Sequence, residues 1–283
     1  MTERIEAFEL AADGVALRTL HWSPMKPAWA ALLLVHGLGE HAGRYEAVAR
    51  QMAAAGIAVH AYDQRGFGAS GGPRAYVERW SLFHDDLEAR LHQVRARSDG
   101  LPLVLYGHSM GGLVVLGYVL AAAARPLPDL MVLSAPGLDS TIAGWKRAVA
   151  PVLGRILPRL RIPNGFSPGA LSRDPEVDAR LKADPLCLGS STTRLGAAGF
   201  AEQAKLRAVL ARGVSLRVPT YVIHGNDDGV VPVGASASLV AGRPNVTRRV
   251  YPGLRHETHN EPEGPSVVAD TIEWLRGALV SRQ

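Results

Sequence analysis

The sequence Gly-His-Ser-Met-Gly at positions 107–111 constrains the fold more than any other stretch of the chain. A short apolar run, residues 103–106, leads into it, and a longer one, residues 113–124, leads out towards Pro126. The first run is typical of a buried strand and the second is long enough for a buried helix. A serine with a glycine two residues before it and another two residues after it, at a sharp strand-to-helix turn, predicts that Ser109 is a nucleophile. The same pattern also occurs in ordinary tight turns, so other loops must supply its partners.

Strand and helix patterns alternate along most of the chain. An N-terminal hairpin is predicted from two extended runs, residues 5–10 and 15–22, around a turn at residues 12–14. The further predicted elements are strands at residues 29–35, 57–62, 103–106, 130–133, 220–223 and 246–251, and helices at residues 44–54, 81–98, 113–124, 233–241 and 265–280. This alternation predicts an α/β fold in which helices cover both faces of a mostly parallel sheet of about eight strands.

The alternation stops after Pro136 for roughly eighty residues, which is too long for an unstructured loop inside one domain. We therefore predict a helical insertion, the cap (residues 137–212), within a core formed by residues 1–136 and 213–283. The cap holds twelve Lys and Arg against six Asp and Glu, a net charge of +6, whereas the whole chain carries +5. The basic excess therefore belongs to the cap, and it favours attraction to anionic lipid headgroups or to an acidic product over nucleic-acid binding, for which no recognition module is visible.

Composition excludes several other classes of protein. Of the 283 residues, 47% are hydrophobic and 20% are charged, as in globular proteins with a core. The single cysteine, Cys187, excludes an intramolecular disulfide and a cysteine metal cluster. The first residues lack the pattern of a signal peptide, and no apolar run reaches the roughly 18 residues of a membrane span. We expect a soluble, cytoplasmic protein, and the sequence leaves its oligomeric state open.

Two loops that follow later strands offer partners for the serine. A serine hydroxyl needs a base to remove its proton and an acid to orient that base. In parallel sheets such residues lie beyond the carboxyl ends of strands. Asp227 and Asp228 follow the strand at residues 220–223, and His256 follows the next one. Asp139, after the strand at residues 130–133, is a further candidate for the acid.

These loops together resemble the α/β-hydrolase fold and, more narrowly, the monoacylglycerol lipase group, which is similar to the serine aminopeptidase S33 and lysophospholipase proteins. The resemblance extends from about Leu32 to Pro262. Besides the loops around Ser109, Asp228 and His256, it rests on His36-Gly37-Leu38-Gly39-Glu40-His41, Gly43-Arg44-Tyr45, Asp63-Gln64-Arg65-Gly66, Ser172-Arg173-Asp174-Pro175-Glu176, Ala183-Asp184-Pro185-Leu186 and Asn260-Glu261-Pro262.

The resemblance implies roles for individual residues. It places the acid three residues after the glycine that ends the strand, which favours Asp228 over Asp227. A tetrahedral intermediate needs two backbone donors. The turn itself supplies Met110 N–H, and the family pattern implies Leu38 N–H as the second donor. Gly37 allows the backbone to curl towards the substrate.

No cofactor is implied by these motifs. His36, Glu40 and His41 could suggest a metal site, but their loop lacks further ligands at a fitting spacing, so we expect no metal.

The cap contains a basic amphipathic segment at residues 142–161. Pro151 should break or kink it. Such a segment either packs its apolar face over the active-site mouth or lies on a lipid surface, and packing is the favoured interpretation. With Gly37 and His108, we expect Ile142, Trp145 and Leu153 to contact the substrate.

The expected activity is hydrolysis of a lipid-like carboxylic ester, with monoacylglycerol as the leading substrate and an acyl-enzyme on Ser109. A lysophospholipase or a broad carboxylesterase is the nearest alternative. Acyl transfer to an alcohol, perhydrolysis and a non-catalytic binding protein on the same fold rank lower.

Overall fold

The predicted apolar runs become the strands of one eight-stranded sheet in the computed structural model, which describes residues 4–121 and 125–280. Its strands are β1 Arg4–Leu10, β2 Ala16–Trp22, β3 Ala30–Val35, β4 Ile57–Tyr62, β5 Leu103–His108, β6 Leu130–Ser134, β9 Thr220–Gly225 and β10 Val246–Tyr251. They are arranged in the order β1-β2-β4-β3-β5-β6-β9-β10, where β1 and β2 are antiparallel additions to a parallel sheet. The predicted mostly parallel sheet of about eight strands is confirmed.

Helices cover both faces because the central strands are apolar on both faces. In β3, which is buried throughout, alternate residues enter two separate hydrophobic cores. The helices are α1 Glu46–Ala54, α2 Ser81–Arg97, α3 Met110–Ala121, α4 Gly144–Ile156, α5 Pro175–Ala183, α6 Thr193–Ala211, α7 Gly234–Ala237 and α8 Gly264–Val280. Apolar side chains of α2, α3 and α6 complete one core, and those of α1 and α8 complete the other. None of these described helices combines the length and apolar character needed to cross a lipid bilayer.

One predicted helix differs from the observed one, and part of another prediction is not tested. The predicted end of α3, at residues 122–124, lies outside the described residues. The helix predicted at residues 233–241 is a single turn, α7, followed by 3₁₀-type turns in which Leu239 N–H donates to the Ser236 carbonyl. The Ser238 hydroxyl donates to a carbonyl three residues back, and such bonds compete with regular helix.

The segment between β6 and β9 contains α4, α5 and α6 together with a two-stranded antiparallel ribbon, β7 Arg161–Pro163 and β8 Ser190–Thr192. The ribbon was not predicted. Helix α6 is fixed to the core, because Leu206 and Leu210 join the same hydrophobic cluster as α3. The Gln203 amide also donates to the Gly137 carbonyl at 2.8 Å. The division into core and cap at residues 137 and 212 stays a prediction.

Candidate active site

Ser109 lies at the sharp turn between β5 and α3. Its φ of +52° is in the left-handed region, which is costly for a residue with a side chain. The Ser109 amide donates to the Ser134 carbonyl, and the Ser109 carbonyl accepts from Gly137 N–H, each at 2.9 Å. Glycine is required at position 111, since a methyl group there would lie 2.1 Å from the Val35 carbonyl oxygen. Close packing of β3 against α3 therefore presents the serine hydroxyl at the carboxyl edge of the sheet.

His256 and Asp228 reach the serine from the loops after β10 and β9. The Ser109 hydroxyl donates to His256 Nε2 at 2.9 Å, and His256 Nδ1–H donates to Asp228 Oδ2 at 2.7 Å. Asp227 is exposed, and Asp139 forms ion pairs with arginines at 2.6 and 3.0 Å. The structure thus joins Asp228, and neither alternative, to the histidine.

The electrostatic environment of Asp228 and His256 favours an ionised carboxylate beside a basic imidazole. Burial alone would raise the pKa of Asp228, but the charge of His256 and hydrogen bonds from two imidazoles hold that pKa well below its usual range. Burial would lower the pKa of His256, yet the carboxylate of Asp228 outweighs it and raises the pKa above the ordinary histidine value. A neutral His256 can therefore accept the serine proton while Asp228 stabilises the resulting imidazolium.

A second histidine, His224, contacts the same carboxylate. His224 Nε2 lies 3.0 Å from Asp228 Oδ2, and its Nδ1 lies 2.8 Å from the Ser236 hydroxyl. The other carboxylate oxygen, Oδ1, accepts the backbone N–H groups of Val230 and Val231 at 2.8 Å each. The place of His224 at the end of β9 predicts from the sequence only that it packs or forms a hydrogen bond there. Its contact with the acid was missed, although its position four residues before Asp228 was the available signal.

The loop after β3 lies against the nucleophile. A methyl group on Gly37 would be 3.2 Å from Ser109 Cβ, so this backbone approaches the serine closely. Neither Leu38 N–H nor Met110 N–H donates to another group in the described parts of the chain. Both amides are thus free to bind an oxyanion. Glu40 fixes the loop from below, because its Oε1 accepts Gly37 N–H at 2.6 Å.

Arg44 connects this loop to the loop that carries the base. Its guanidinium donates to both carboxylate oxygens of Glu257, the neighbour of His256, at 2.8 Å each. It also donates to Glu40 at 2.5 Å, and the Tyr45 hydroxyl donates to Glu40 at 2.7 Å. Burial raises the pKa of Glu257, but Arg44 lowers it to about 2. The buried cluster of two glutamates and one arginine holds both loops in a fixed relation.

Two further imidazoles pack behind the base. The ring of His108 lies 4.9 Å from that of His256 and 5.0 Å from that of His259. Burial and these neighbouring imidazoles depress the pKa of His108 well below the ordinary value. His108 is therefore neutral at pH 7 and adds no positive charge that would weaken the base.

A cavity of about 470 Å³ opens beside Ser109 and His256. Gly37 and His108 line it, as expected of substrate contacts. The remaining wall is largely apolar with a polar side: Leu38, Gly39, Pro163, Gly165, Phe166, Leu171, Leu181, Cys187, Leu188 and Gly189, together with Glu40, Arg44, Asn164, Lys182 and Glu257. Sequence reasoning missed Phe166, Leu171 and Leu188, although motifs that resemble the lipase group flank this stretch. The cavity has the form of a pocket for an ester with an apolar chain.

The three other expected substrate contacts are elsewhere. Ile142, Trp145 and Leu153 are not part of the cavity wall that the described residues form, and Trp145 is 66% exposed. Helix α4 runs through Pro151 without a break and packs against α6, where Gly154 lies close to the α6 backbone; its buried residues are the small Ala150 and Gly154. Because these small residues face inward, the large apolar side chains face outward. The expectation that the apolar face packs over the mouth was wrong in this respect.

The side chains nearest to a metal-ligand set in the described chain are His41, Asp184 and Cys187, whose donor atoms all lie within 4.8 Å of one another. His41 Nε2–H donates to Asp184 at 2.8 Å. Burial raises the pKa of the Cys187 thiol to about 12, so the thiol is protonated at neutral pH. Of the earlier candidates, His36 contacts Gln64 N–H and Glu40 is held in the arginine cluster.

Comparison with known proteins places this geometry in a family. The model of the family described as serine aminopeptidase, S33, matches residues 26–263. A monoacylglycerol lipase of Mycolicibacterium smegmatis is 36% identical over 260 residues, 90% of each chain, and human monoglyceride lipase is 31% identical over 93% of this chain and 88% of its own. The crystal structure of Paleococcus ferrophilus monoacylglycerol lipase superimposes with a TM-score of 0.82 at 29% identity, over 93% of this chain and 99% of that one. The chain belongs to the serine aminopeptidase S33 family of α/β hydrolases.

Proposed function

We propose that this protein hydrolyses monoacylglycerols to glycerol and fatty acid. The observation that carries the proposal is the hydrogen-bonded catalytic triad of Ser109, His256 and Asp228 at the wall of a largely apolar cavity. Relatives named as monoacylglycerol or monoglyceride lipases support the choice of substrate.

The geometry supports an acyl-enzyme mechanism. His256 Nε2 takes the hydroxyl proton as Ser109 Oγ attacks the ester carbonyl carbon, and the carbonyl oxygen becomes an oxyanion held by Leu38 and Met110 N–H. The tetrahedral intermediate collapses, the carbon–oxygen ester bond breaks, and His256 returns its proton to the departing glycerol oxygen. Water then attacks the acyl-enzyme by the same route and releases the fatty acid. Asp228 remains ionised throughout.

Binding energy for the acyl chain comes from the apolar wall. Each buried methylene contributes about 0.8 kcal/mol. Such a wall distinguishes chain lengths weakly, so selectivity must come from the polar side of the cavity, where Asn164, Lys182 and Glu257 lie.

Lysophospholipids are the second candidate substrates. The exposed amine of Lys182 at the cavity suits a phosphate group, and a relative named phospholipase YtpA, from Bacillus subtilis, is 28% identical over 87% of this chain. Broad esterase activity would instead appear as a preference for short, soluble esters.

A substrate panel tests these alternatives. We expect kcat/KM for monoacylglycerols to exceed the values for diacylglycerols, lysophospholipids and short p-nitrophenyl esters, and Ser109→Ala to abolish all of them. Preference for lysophospholipids that falls in Lys182→Met would favour the second candidate. Transfer of the acyl group to an added alcohol in preference to water would indicate an acyltransferase.

We further propose that the cap (residues 137–212) covers the site and that α4 docks on anionic lipid. Its outward side chains include Trp145, 66% exposed, and Ile156, 68% exposed. The basic Lys146 and Arg155 lie on the same exposed helix, next to these apolar groups. Apolar side chains beside basic ones are typical of helices that lie in a membrane interface.

Vesicle sedimentation measures this docking. The double variant Trp145→Ala/Ile156→Ala should bind phosphatidylglycerol-containing vesicles at least about 10-fold more weakly, since each large apolar side chain contributes roughly 1.5–3 kcal/mol when fully buried. Phe8→Ala, which removes an exposed side chain from β1, should bind as the wild type does. Equal binding by all three proteins would refute docking through α4.

A further inference from the structure

Asp228, the acid of the catalytic triad, contacts two imidazoles through one carboxylate oxygen. Asp228 Oδ2 lies 2.7 Å from His256 Nδ1 and 3.0 Å from His224 Nε2. Both Asp228 and His224 side chains are fully buried, so no water competes for this oxygen from the bulk. The serine mechanism described above uses only the first of these contacts.

The neighbours of His224 determine where it carries its hydrogen. Nε2 faces two acceptors, Asp228 Oδ2 and the Val231 carbonyl oxygen at 3.1 Å, so Nε2 must carry the hydrogen and donate it. Nδ1 faces the Ser236 hydroxyl, whose oxygen in turn accepts from Arg248 Nε at 2.9 Å. The series Arg248–Ser236–His224 thus presents a fixed N–H group to the acid.

We propose that His224 is a positioning residue for the catalytic triad. It holds the Asp228 carboxylate in place and withholds part of the negative charge of that carboxylate from His256. The proposal rests on the proposed ester hydrolysis but not on the choice of ester. A carboxylate oxygen that accepts two N–H groups attracts each of them less than it would attract one alone. His224 therefore acts on the base through the acid.

The proposal predicts a change in the pH dependence of kcat/KM. Activity falls on the acid side of this profile as His256 becomes protonated, and that acid limb should move to higher pH when His224 is replaced. A hydrogen bond to a charged group contributes to stability, and loss of the His224 bond leaves Oδ2 wholly to His256. The imidazolium form of His256 then gains stability, which raises the pH at which the base becomes protonated. In the part of the chain that the structure describes, the other titratable groups that interact with His256 are His108, His259, Glu40 and Glu257, and none of them is altered by replacing His224.

The experiment compares two replacements of similar size. His224→Met removes the donor, whereas His224→Gln keeps an N–H group near the position of Nε2. We measure kcat/KM from pH 5 to 9 with p-nitrophenyl butyrate, whose turnover does not depend on the natural headgroup. The matched control is His92→Gln, a histidine on the exposed face of α2.

We expect His224→Met to move the acid limb up by about 0.5–1 pH unit, where one unit is a tenfold change in the protonation equilibrium. Its kcat at pH 8 should also fall by roughly threefold to tenfold, because the carboxylate is held less firmly. In His224→Gln the acid limb should stay at the wild-type pH, because the N–H donor is kept. His92→Gln should change neither the acid limb nor kcat. An unshifted limb in His224→Met, with or without a lower kcat, would overturn the proposal and leave a structural role only.

Ser236→Ala keeps the proposal testable if His224→Met does not fold, as judged by circular dichroism. This variant leaves both imidazoles but removes the group that faces Nδ1, and its limb should move upward by a smaller amount. A limb at the wild-type pH would then overturn the proposal. If the wild-type protein shows no esterase activity at all, the proposed function itself is refuted. That outcome is distinct from an unshifted limb in the variants.

Discussion

Arg44 offers the strongest test of how the two catalytic loops are held together. Its guanidinium makes two bonds of 2.8 Å to Glu257 and one of 2.5 Å to Glu40. The arginine side chain is 11% exposed and both carboxylates are 4% exposed, so water can screen none of them well. Arg44→Met keeps an unbranched apolar stem but leaves two buried negative charges without a cation.

The expected cost follows from that burial. Removing one partner of a buried ion pair lowers the free energy of unfolding by about 3–5 kcal/mol. In a chain of this size each kcal/mol lowers Tm by roughly 2–4 °C, so a fall of about 10 °C is expected. Arg50→Met is the matched control, because Arg50 pairs with Glu46 on the exposed side of α1 and should change stability by less than about 1 kcal/mol.

The pH dependence gives a second, independent readout. In the wild type the pKa of Glu257 is lowered to about 2, so its stabilising contribution is complete above its unfolded pKa and is lost only as the pH falls towards 2. Without Arg44, burial dominates and raises the pKa of the Glu257 carboxyl in the folded state. The native variant then binds more protons than the unfolded chain, and its stability increases as the pH falls from 8 to 5.

Urea unfolding at pH 8 and at pH 5 measures both the loss of stability and its pH dependence. The proteins compared are the wild type, Arg44→Met, Glu257→Gln and the double variant. The double variant should be less destabilised than the sum of the single ones, since Glu257→Gln removes one of the orphaned charges. Additive losses, or a deficit of Arg44→Met that is the same at both pH values, would refute the electrostatic account of this cluster.

Three further predictions concern the site itself. Asp228→Asn should lower kcat by about 10⁴-fold, as expected when the acid no longer fixes the histidine tautomer, whereas Asp227→Asn, an exposed change, should stay within about twofold; steady-state kinetics decide the ranking. Gly37→Ala would place a methyl group 2.7 Å from Glu40 Oε1 and 3.2 Å from Ser109 Cβ, so it should lower kcat/KM at least about 100-fold and lower Tm as well, as steady-state kinetics and thermal unfolding would show. Because burial raises the pKa of Cys187 to about 12, iodoacetamide at pH 8 should label the folded protein at least about 100-fold more slowly than the urea-unfolded protein.

The sheet and the loops that bear the nucleophile and base could be predicted because each apolar run ends where a chemically distinctive loop begins. The rule that parallel strands present their following loops at one edge then brought Ser109 and His256 together. The choice of Asp228 over Asp227 needed the family resemblance, since adjacent carboxylates are equivalent in the sequence. Their different burial follows from the backbone N–H groups of Val230 and Val231, which turn Asp228 inward.

The cap could not be predicted to the same depth. Periodicity in α4 indicates an apolar face but not what covers it, and the buried residues of this helix are the small Ala150 and Gly154 rather than the large apolar ones. The cavity wall near Leu188 lacks periodicity altogether. It is set by contacts between distant parts of the chain, such as Leu188 N–H to the Gly39 carbonyl at 2.7 Å. Such tertiary contacts leave no local pattern in the sequence.

The central claim is that Ser109 attacks monoacylglycerol esters, and active-site labelling with a fluorophosphonate, followed by peptide mass mapping, tests it most directly. The account predicts a single adduct on Ser109, whose formation is slowed competitively by a monoacylglycerol and is abolished in Ser109→Ala. An adduct on another residue, or labelling of Ser109 that saturating monoacylglycerol does not slow, would contradict it.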